Sequence, residues 1–550
     1  MPWLLLAAAA ACSPAAQRHA ATSADEAAPG LGSAALDKVA GAAPAVGDAA
    51  PSQAKEGADA KATWAPGDPD LVKYHPEPLP YMDGLPRIGA IGPHVWIKPK
   101  PSGEGLALGK LRIGTAVKLR GNGPVRGEGC KRGWYPVEPR GYVCLNDRTT
   151  LDLSDPYFRA LAELSPRPDT VWPYTYAHSR GAPMYSRVPT PAEWEKAERH
   201  LGPPGTYKDL GPWAEGHEEL IEEDRKIEAT DAVPWFFEGG VRRVSGGNYD
   251  PRRLTWKTIP NGSMLAYARA FEMHGRVWLV TPDLMIVPAD RVQYMRRSVF
   301  HGVVIGEDGA LGQDGGVSLP LAWNRAKTER PLFERAADGR FVESREQMKP
   351  KQALEIEDAR VVDGKEGYYP LRKRPGLFVK ESFMTFTRQR TKLPGSIKPD
   401  QKWVEAKILP GTLTAYVGLQ PVYATLFSPG KGGLPIKGHN MSKDATTEIG
   451  HFPVEWKERV ATMSNEKGDP KVLWFSDVPH QQYLHAPLAM HVAFWHEDFS
   501  NPKSAECVNV SALDGRWLFG FTDPVLPPDW NAIRPGGGNG PSTPIVTEAR

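Results

Sequence analysis

A cysteine and a histidine sixteen residues apart carry the most specific chemical signal in this chain. His491 and Cys507 each lie in a short apolar segment, MHVAFW and CVNV, and a polar connection separates the two segments. Such segments are typical of neighbouring strands, which could bring an imidazole close enough to a thiol to act as its base. The residues alone leave a second interpretation open, in which a buried structural cysteine lies beside a packed histidine.

The residues around this pair resemble the signature of the L,D-transpeptidases, whose catalytic domain is of the YkuD type. That signature has a His-Gly on one strand and, after a short loop, Ser/Thr-His-Gly-Cys, an apolar residue and Asn. Ser504, Cys507, Val508 and Asn509 match it, and His491 lies at the family's usual interval before the cysteine. The resemblance implies a YkuD-type β-sandwich as the catalytic domain, which we place at residues 400–532.

Three positions depart from the signature. Ala505 and Glu506 replace its second His and its Gly, and Val492 rather than Gly follows the first His. A carboxylate beside the sulfur disfavours the thiolate, and a side chain replaces glycine where the backbone can need unusual dihedral angles. Because of these changes, a wall-binding lipoprotein with a weakened or inactive transferase domain stays an alternative to an active enzyme.

The activity that the resemblance implies is cysteine acyl transfer on peptidoglycan stem peptides, without a cofactor. Cys507 would form a thioester with the stem, and His491 would be the base. Ser504 and the N–H groups around the cysteine would orient the site and hold the oxyanion, while Glu506 and Asn509 would lie on the loop that faces the substrate. An amine of a second stem would then accept the acyl group, and the sequence leaves water open as another acceptor.

The neighbourhood of the pair predicts a helix and argues against a metal. Six of the 14 histidines lie between His439 and His496, but His491 and His496 are five residues apart, which places them on opposite faces of a strand. The sequence also lacks HExxH and CxxC, so we expect no metal site. Ser511 and Asp514 predict a capping box and hence a helix just after the cysteine, with its N–H groups directed at the sulfur.

The first twelve residues predict export and a lipid anchor. Leu4 to Ala11 form an apolar run too short to span a bilayer, and Cys12 follows that run as in the lipobox of bacterial lipoproteins. The resemblance implies that Cys12 is acylated and that the protein is periplasmic, anchored to a membrane of a Gram-negative bacterium, the outer one. A plain secretory signal is the alternative. Residues 13–86, Ala-rich over most of their length, predict a disordered tether.

Three segments between the tether and the catalytic domain are typical of small β-barrels. Residues 87–150 resemble a bacterial SH3-like barrel through Trp134 and a Gly-Tyr-Val at 141–143. The same pattern of aromatic residue, turn and apolar strand recurs at 170–295 and 318–385, which predicts two divergent copies of the SH3-like module. The alternative is that the whole region is one irregular β-domain. The second copy would carry a helical insertion, with helical patterns at 191–201 and 217–229.

Two cysteines flank the hairpin of the first copy. Cys130 and Cys144 lie on either side of Trp134 and the following strand. In an oxidising compartment they predict a disulfide that would staple a small core. Two buried free thiols are the alternative.

The chain as a whole predicts a mainly β protein. Its 55 Gly and 54 Pro favour short strands and turns over long helices. Residues 402–430 predict three strands joined by two Gly-containing turns, and residues 533–550 predict a disordered tail. A net charge of +2 gives no nucleic-acid footprint. We therefore expect stem peptides and a membrane, not nucleic acid, as partners.

Overall fold

Strands are the dominant regular elements of the described residues, and the prediction of a mainly β fold is confirmed. The computed structural model describes residues 81, 83–121, 123–166, 170–202, 217–238, 253–306, 316–464, 473–536 and 540–550. The predicted signal peptide, the predicted acylation site Cys12 and the tether as far as residue 80 lie outside the described residues.

The largest sheet passes through the candidate catalytic region and both of the first two predicted modules. A path of eight strands crosses it, and two further strands extend it beside the long central strand. The path is Val292–Tyr294, Thr175–Ser179, Met264–Tyr267, Trp474–His485, Trp456–Ser464, Ala532–Ile533, Gly109–Leu111 and Val95–Ile97. The two further strands are Leu488–Val492, which pairs with Trp474–His485, and Val508–Val510, which pairs with Leu488–Val492. These modules and the predicted catalytic domain therefore share one sheet, although the predicted boundaries treat them as separate.

A six-stranded sheet carries the predicted hairpins. Its spatial order is Val303–Val304, Gln420–Leu426, Thr412–Val417, Lys402–Lys407, Pro544–Glu548 and Gly450–Pro453. The three strands predicted from residues 402–430 are confirmed. Gly411 and Gly418 make the two turns at positive φ, 64° and 57°, a region that glycine enters without the Cβ penalty.

The prediction of a disordered tail from residue 533 is wrong for the last strand. Pro544–Glu548 pairs in parallel with Lys402–Lys407 and antiparallel with Gly450–Pro453. Ile545 and Val546 are both 0% exposed. A short apolar run inside a Gly- and Pro-rich tail is enough to form a strand when two distant strands offer their edges on both sides.

The two large sheets face each other as a sandwich around one apolar core. The six-stranded sheet contributes side chains such as Val404, Leu413 and Tyr423, and the ten-stranded sheet contributes Met490 and Val508. The helix 512–521 also packs into this core. Burial of about 25 cal/mol per Å² of apolar surface is the main stabilising contribution of such a core.

Smaller sheets complete the three predicted modules. Their resemblance to SH3-like barrels stays a prediction. The first module has a three-stranded sheet, Ala116–Lys118, Arg87–Ala90 and Thr149–Thr150, and a two-stranded sheet, Trp134–Pro136 and Tyr142–Cys144. The second module has one five-stranded sheet, Thr255–Thr258, Pro183–Tyr185, Ile286–Pro288, Arg276–Val280 and Arg269–Met273. The third module has a three-stranded sheet, Ala353–Glu355, Leu321–Asn324 and Met384–Thr387, and a five-stranded sheet, Phe341–Met348, Arg330–Arg335, Leu377–Lys380, Glu366–Pro370 and Val361–Asp363.

Helices are short in the described ranges, and none of them is long and apolar enough to span a bilayer. The α-helices are Pro156–Glu163, Pro191–Glu198, Trp235–Glu238, Met441–Asp444 and Ala512–Phe521, and the 3-10 helices are Ala289–Arg291 and Glu381–Phe383.

One of the two helical patterns of the insertion forms a helix, and the other does not. The pattern at 191–201 gives Pro191–Glu198. The prediction of a helix at 217–229 is wrong, because tertiary contacts outweigh local helix preference there. Leu220 is 0% exposed, and Ile221 makes an isolated antiparallel bridge to Met295.

Cys130 and Cys144 are joined by a disulfide in the first module. Their Cα atoms are 5.7 Å apart. The bond closes the hairpin that carries Trp134.

Candidate active site

The candidate base lies on one of two adjacent parallel strands, and the candidate nucleophile directly precedes the other. Leu488–Val492 and Val508–Val510 pair with Met490 opposite Val508 and His491 opposite Asn509. Met490 and Val508 point into the sandwich core, and because successive side chains of a strand alternate, His491 and Asn509 point to the other face. Two residues before Asn509, Cys507 lies on that same face.

The strand pairing places the backbones of His491 and Cys507 near each other. Neighbouring strands are about 4.8 Å apart and rise about 3.3 Å per residue, so with the register extended by one residue the Cα atoms of His491 and Cys507 are about 8 Å apart. A histidine and a cysteine side chain directed at each other can close that separation. The two apolar segments predicted as neighbouring strands do pair with each other, and the reach of the imidazole to the sulfur stays a prediction.

His491 is neutral and has a defined tautomer. It is 1% exposed, and burial lowers its pKa to about 4. Its Nδ1 lies 2.9 Å from the carbonyl oxygen of Val492. A carbonyl only accepts, so Nδ1 carries the proton and Nε2 is the basic nitrogen. At neutral pH Nε2 is therefore unprotonated and able to accept a hydrogen bond, and the low pKa makes it a weak base toward a thiol.

Cys507 lies in a buried apolar cluster that sequence reasoning did not identify. It is 0% exposed, and its Sγ is 3.7 Å from the carbonyl oxygen of Pro487. The cluster has four buried members and a half-buried tryptophan packed against them, namely Tyr483, Ala489, Ala505, Cys507 and Trp456.

Ser504 and Asn509 flank the cysteine with hydrogen-bonding atoms that have no partner among the described residues. Ser504 is 2% exposed and its Oγ is unpaired, while its backbone bonds to Pro429 and Lys431. Asn509 is also 2% exposed and its Oδ1 is unpaired, while its backbone pairs with Ser428 in both directions. Buried polar atoms that lack partners are costly, so both side chains are suited to bind a ligand.

Glu506 lies next to the sulfur in the chain and is itself buried. It is 5% exposed and has an interaction partner of its own. The described structure thus places a carboxylate, and not the glycine of the L,D-transpeptidase signature, directly before Cys507. This position is the main chemical departure of the site.

The predicted helix is present, but it lies farther from the sulfur than expected. Ala512–Phe521 begins after Ser511, whose Oγ accepts a hydrogen bond from the Asp514 N–H at 3.1 Å. The strand Val508–Val510 separates this cap from Cys507, and four residues of extended chain span about 13 Å. The N–H groups at the helix N-terminus therefore do not act on the sulfur, contrary to the sequence prediction.

A charged cluster holds the connection between the two strands, and sequence reasoning missed it. Glu219 lies 2.5 Å from Lys327 Nζ and 3.3 Å from Lys503 Nζ. Asp498 lies 3.6 and 3.5 Å from the same two ammonium groups, and 3.6 Å from that of Lys351. Three lysines and two carboxylates leave one positive charge in excess. The charged residues of this cluster come from three distant parts of the chain, so no local sequence pattern predicts it.

Among the solved structures similar to this chain are L,D-transpeptidases. One from Xylanimonas cellulosilytica is 20% identical over 28% of this chain and 65% of its own, slightly less than two thirds, with a TM-score of 0.19. The catalytic domain of an Enterococcus faecium L,D-transpeptidase is 17% identical over 28% of this chain and 100% of its own, with a TM-score of 0.20. L,D-transpeptidase 3 of Mycobacterium tuberculosis, solved with a faropenem-derived adduct, is 15% identical over 42% and 80%, with a TM-score of 0.20.

No protein-family model matches the chain, and no curated protein sequence matches it. The structural likenesses above are too weak to carry an argument about activity. The chemistry of the site has to be argued from its own residues.

Proposed function

We propose that this chain is a cysteine acyltransferase of the L,D-transpeptidase type that acts on peptidoglycan stem peptides. The observation that supports this most directly is the shared strand face of His491 and Cys507, on which the neutral imidazole has Nε2 as its basic nitrogen. A base that is neutral at rest suits a mechanism in which the proton leaves the thiol during attack.

In the proposed reaction the Cys507 sulfur attacks the carbonyl carbon of an L-centre that precedes a terminal D-residue. The thiol proton moves to Nε2 of His491, and a tetrahedral oxyanion forms. When the peptide C–N bond breaks, His491 gives the proton to the leaving amine, and a thioester remains. An amine of a second stem then attacks the thioester, loses a proton to His491, and the sulfur leaves and regains a proton. Water in place of the amine would give hydrolysis.

Ser504 and Asn509 are the side chains that we assign to substrate binding. Their unpaired Oγ and Oδ1 atoms lie three residues before and two residues after the nucleophile. Bonds to a substrate would satisfy these buried atoms, which favours binding of a polar backbone over an apolar ligand.

Mass spectrometry after exposure to a carbapenem tests the proposed nucleophile. With reductant present, we expect one covalent adduct, on Cys507. Because the reductant also opens the Cys130–Cys144 disulfide and frees two further thiols, peptide mapping is used to assign the adduct to Cys507. Cys507→Ser should abolish the adduct and His491→Ala should slow its formation at least tenfold. His439→Ala, in an exposed segment, is the matched control and should react like the wild type. An unchanged mass at high dose would contradict an active transferase.

A second candidate is a wall-binding protein whose transferase domain is inactive. The observation that favours it is the burial of Cys507 and His491, 0% and 1% exposed, together with the carboxylate at Glu506. The experiment above separates the two, because an inactive protein would bind purified sacculi while its mass stays unchanged. With a tetrapeptide-stem substrate and an amine acceptor, the product mass further distinguishes transfer from hydrolysis.

We also propose that the protein is anchored in the periplasm through an acylated Cys12, on the strength of the sequence alone. Cys12→Ala should move the protein from the membrane fraction to the soluble fraction. Identical partitioning of the variant and the wild type, with no lipid mass on the N-terminal peptide, would contradict the anchor.

A further inference from the structure

One face of the ten-stranded sheet continues from the candidate active site toward the first predicted module. Trp456 pairs with Tyr483, and Tyr483 pairs with Ala489. Tyr483, Ala489, Ala505 and Cys507 form one cluster against which Trp456 packs. Paired residues of neighbouring strands point to the same side of a sheet. The indole of Trp456 therefore lies on the same face as the sulfur.

A second row of paired residues extends that face to the edge of the sheet. Glu458, two residues after Trp456, pairs with Ala532; Ala532 pairs with Lys110, and Lys110 pairs with Trp96. Lys110 Nζ reaches across the small Ala532 and lies 2.9 Å from both carboxylate oxygens of Glu458. The ring centroids of Trp96 and Trp456 are 6.2 Å apart. Two indoles from opposite ends of the chain thus meet on this face.

Charged groups border both indoles, and both indoles are half-buried. The Arg534 guanidinium lies 5.3 Å from the ring centroid of Trp456, and Lys110 Nζ lies 6.0 Å from that of Trp96. Trp456 Nε1 donates a 2.7 Å hydrogen bond to Glu458. A sugar ring has an apolar C–H face and a rim of hydroxyls, so aromatic faces next to fixed charges match its chemistry. A purely apolar segment would cover the Arg534 guanidinium, whose buried Nε has no hydrogen-bond partner among the described residues, without giving it one.

The distance along the face also fits a sugar. Three strand spacings separate Cys507 from Trp456, which is about 14 Å. In a tetrapeptide stem whose third residue is attacked, three extended residues span about 10–11 Å between the attacked carbonyl and the sugar end. A stem that reaches Cys507 therefore has about the length needed to bring its sugar to the two indoles.

We propose that Trp96, Trp456 and Arg534 form a saccharide-binding surface for the glycan that carries the donor stem. This proposal rests on the proposed function and assigns its substrate specificity. The first predicted module then takes part in substrate binding through Trp96, and free stem peptide is a poorer substrate than stem attached to sugar.

Binding of a defined oligosaccharide tests the surface without any turnover. The full chain carrying Cys507→Ser is titrated with chitotetraose, a β-1,4-linked tetramer of N-acetylglucosamine, by calorimetry and by tryptophan fluorescence. We expect saturable binding that Trp96→Ala weakens at least tenfold and Trp96→Phe weakens less. Trp256→Ala is the matched control, because Trp256 is a 42% exposed tryptophan on a strand of another sheet, and it should bind like the parent. If Trp96→Ala does not fold, Arg534→Gln should still weaken binding at least threefold.

Absence of binding by the parent, or equal binding by folded Trp96→Ala or Arg534→Gln, would overturn the proposal. The carbapenem adduct uses no sugar, so an adduct without saccharide binding rejects this surface and leaves the proposed function standing. Saccharide binding without an adduct supports the surface and rejects the transferase. In turnover, the ratio of kcat/KM for a disaccharide-linked stem to that for free stem should fall toward one in Trp96→Ala, which a merely structural role of Trp96 would not produce.

Discussion

Arg112 and Asp477 form a buried ion pair between the first predicted module and the central strand beside the candidate active site, and we expect its loss to destabilise the protein strongly. Arg112 Nη2 and Nε lie 2.7 and 3.1 Å from Asp477 Oδ1, and the side chains are 8% and 11% exposed. Asp283 lies 3.6 Å from Nη2 but is 60% exposed. Burial opposes the charge of Arg112, yet its attraction to Asp477 outweighs burial and raises the pKa of the guanidinium.

The size of the effect follows from this geometry. Charge centres about 4 Å apart attract by about 4 kcal/mol at an effective dielectric constant of about 20. Arg112→Met leaves a buried carboxylate without its main counter-charge and should cost about 3–5 kcal/mol of unfolding free energy. Asp477→Asn should cost about 2 kcal/mol, because Asp283 stays near the guanidinium and asparagine tolerates the positive φ of 48° at this position. The double variant should cost no more than Arg112→Met alone, since no unpaired buried carboxylate remains.

Urea unfolding of the wild type, the two single variants and the double variant measures the coupling between these residues. We expect a coupling energy of about 2 kcal/mol or more that changes little between low and high salt, because buried pairs are screened weakly. Additive single effects, or a cost below about 1 kcal/mol for Arg112→Met, would show that the pair behaves like a surface ion pair. The first module would then not be joined to the sheet through a buried charge.

Three further variants test other parts of the argument. Replacing Cys130 and Cys144 by serine should cost about 3 kcal/mol in the chain-entropy model for a sequence separation of 14, and urea unfolding of reduced wild type should match the variant. His496 is buried and its pKa is lowered to about 3, so between pH 6.5 and about 3 its imidazole binds a proton in the unfolded state and not in the folded state. As the pH falls through this range, His496 alone therefore lowers the unfolding free energy by about 1.4 kcal/mol per pH unit. His496→Phe should remove this share of the acid slope, and an unchanged slope refutes the assignment. Glu506→Gln should raise the alkylation rate of reduced Cys507 at pH 7 by up to about tenfold, since two like charges about 8 Å apart repel by about 2 kcal/mol at a dielectric constant of about 20 and lower basicity of the sulfur offsets part of the gain. An equal or slower rate would contradict this expectation.

Local patterns in the sequence were sufficient wherever the structure is decided by neighbouring residues. Short apolar segments predicted the strands around His491 and Cys507, and glycine positions predicted the turns at Gly411 and Gly418. Ser511 predicted the start of the helix Ala512–Phe521, because a side-chain oxygen at that position satisfies an N–H that has no partner within the helix. Each of these features depends on fewer than a dozen consecutive residues.

Features decided by distant partners could not be read from such patterns. The strand Pro544–Glu548 exists because two strands far away in sequence leave matching edges. The helical pattern at 217–229 fails because Glu219 and Leu220 find tertiary partners that a helix would not allow. The position of the helix Ala512–Phe521 relative to Cys507 was misjudged because the strand Val508–Val510, itself predicted from the sequence, already separates the helix cap Ser511 from the sulfur.

The second and third predicted modules have a place in the candidate site that their sequences do not suggest. The strands that carry His491 and Cys507 are joined by a connection whose backbone these modules contact directly. Glu219 accepts a hydrogen bond from the N–H of Glu497 at 3.2 Å, and Lys351 Nζ donates to the carbonyl oxygen of Phe499 at 2.9 Å.

A flexible connection of this length would let the sulfur move relative to the imidazole, and general-base catalysis loses efficiency with displacements of about 1 Å. Phe300 stacks on Phe499 with ring centroids 5.3 Å apart, which adds apolar packing to the charged contacts. The contacts of Glu219 and Lys351 with this connection hold its backbone in place, which gives the packing of these two modules against the sandwich a structural role. Under the proposed function, modules two and three would hold the reacting groups in register, while Trp96 of the first module would contact the substrate.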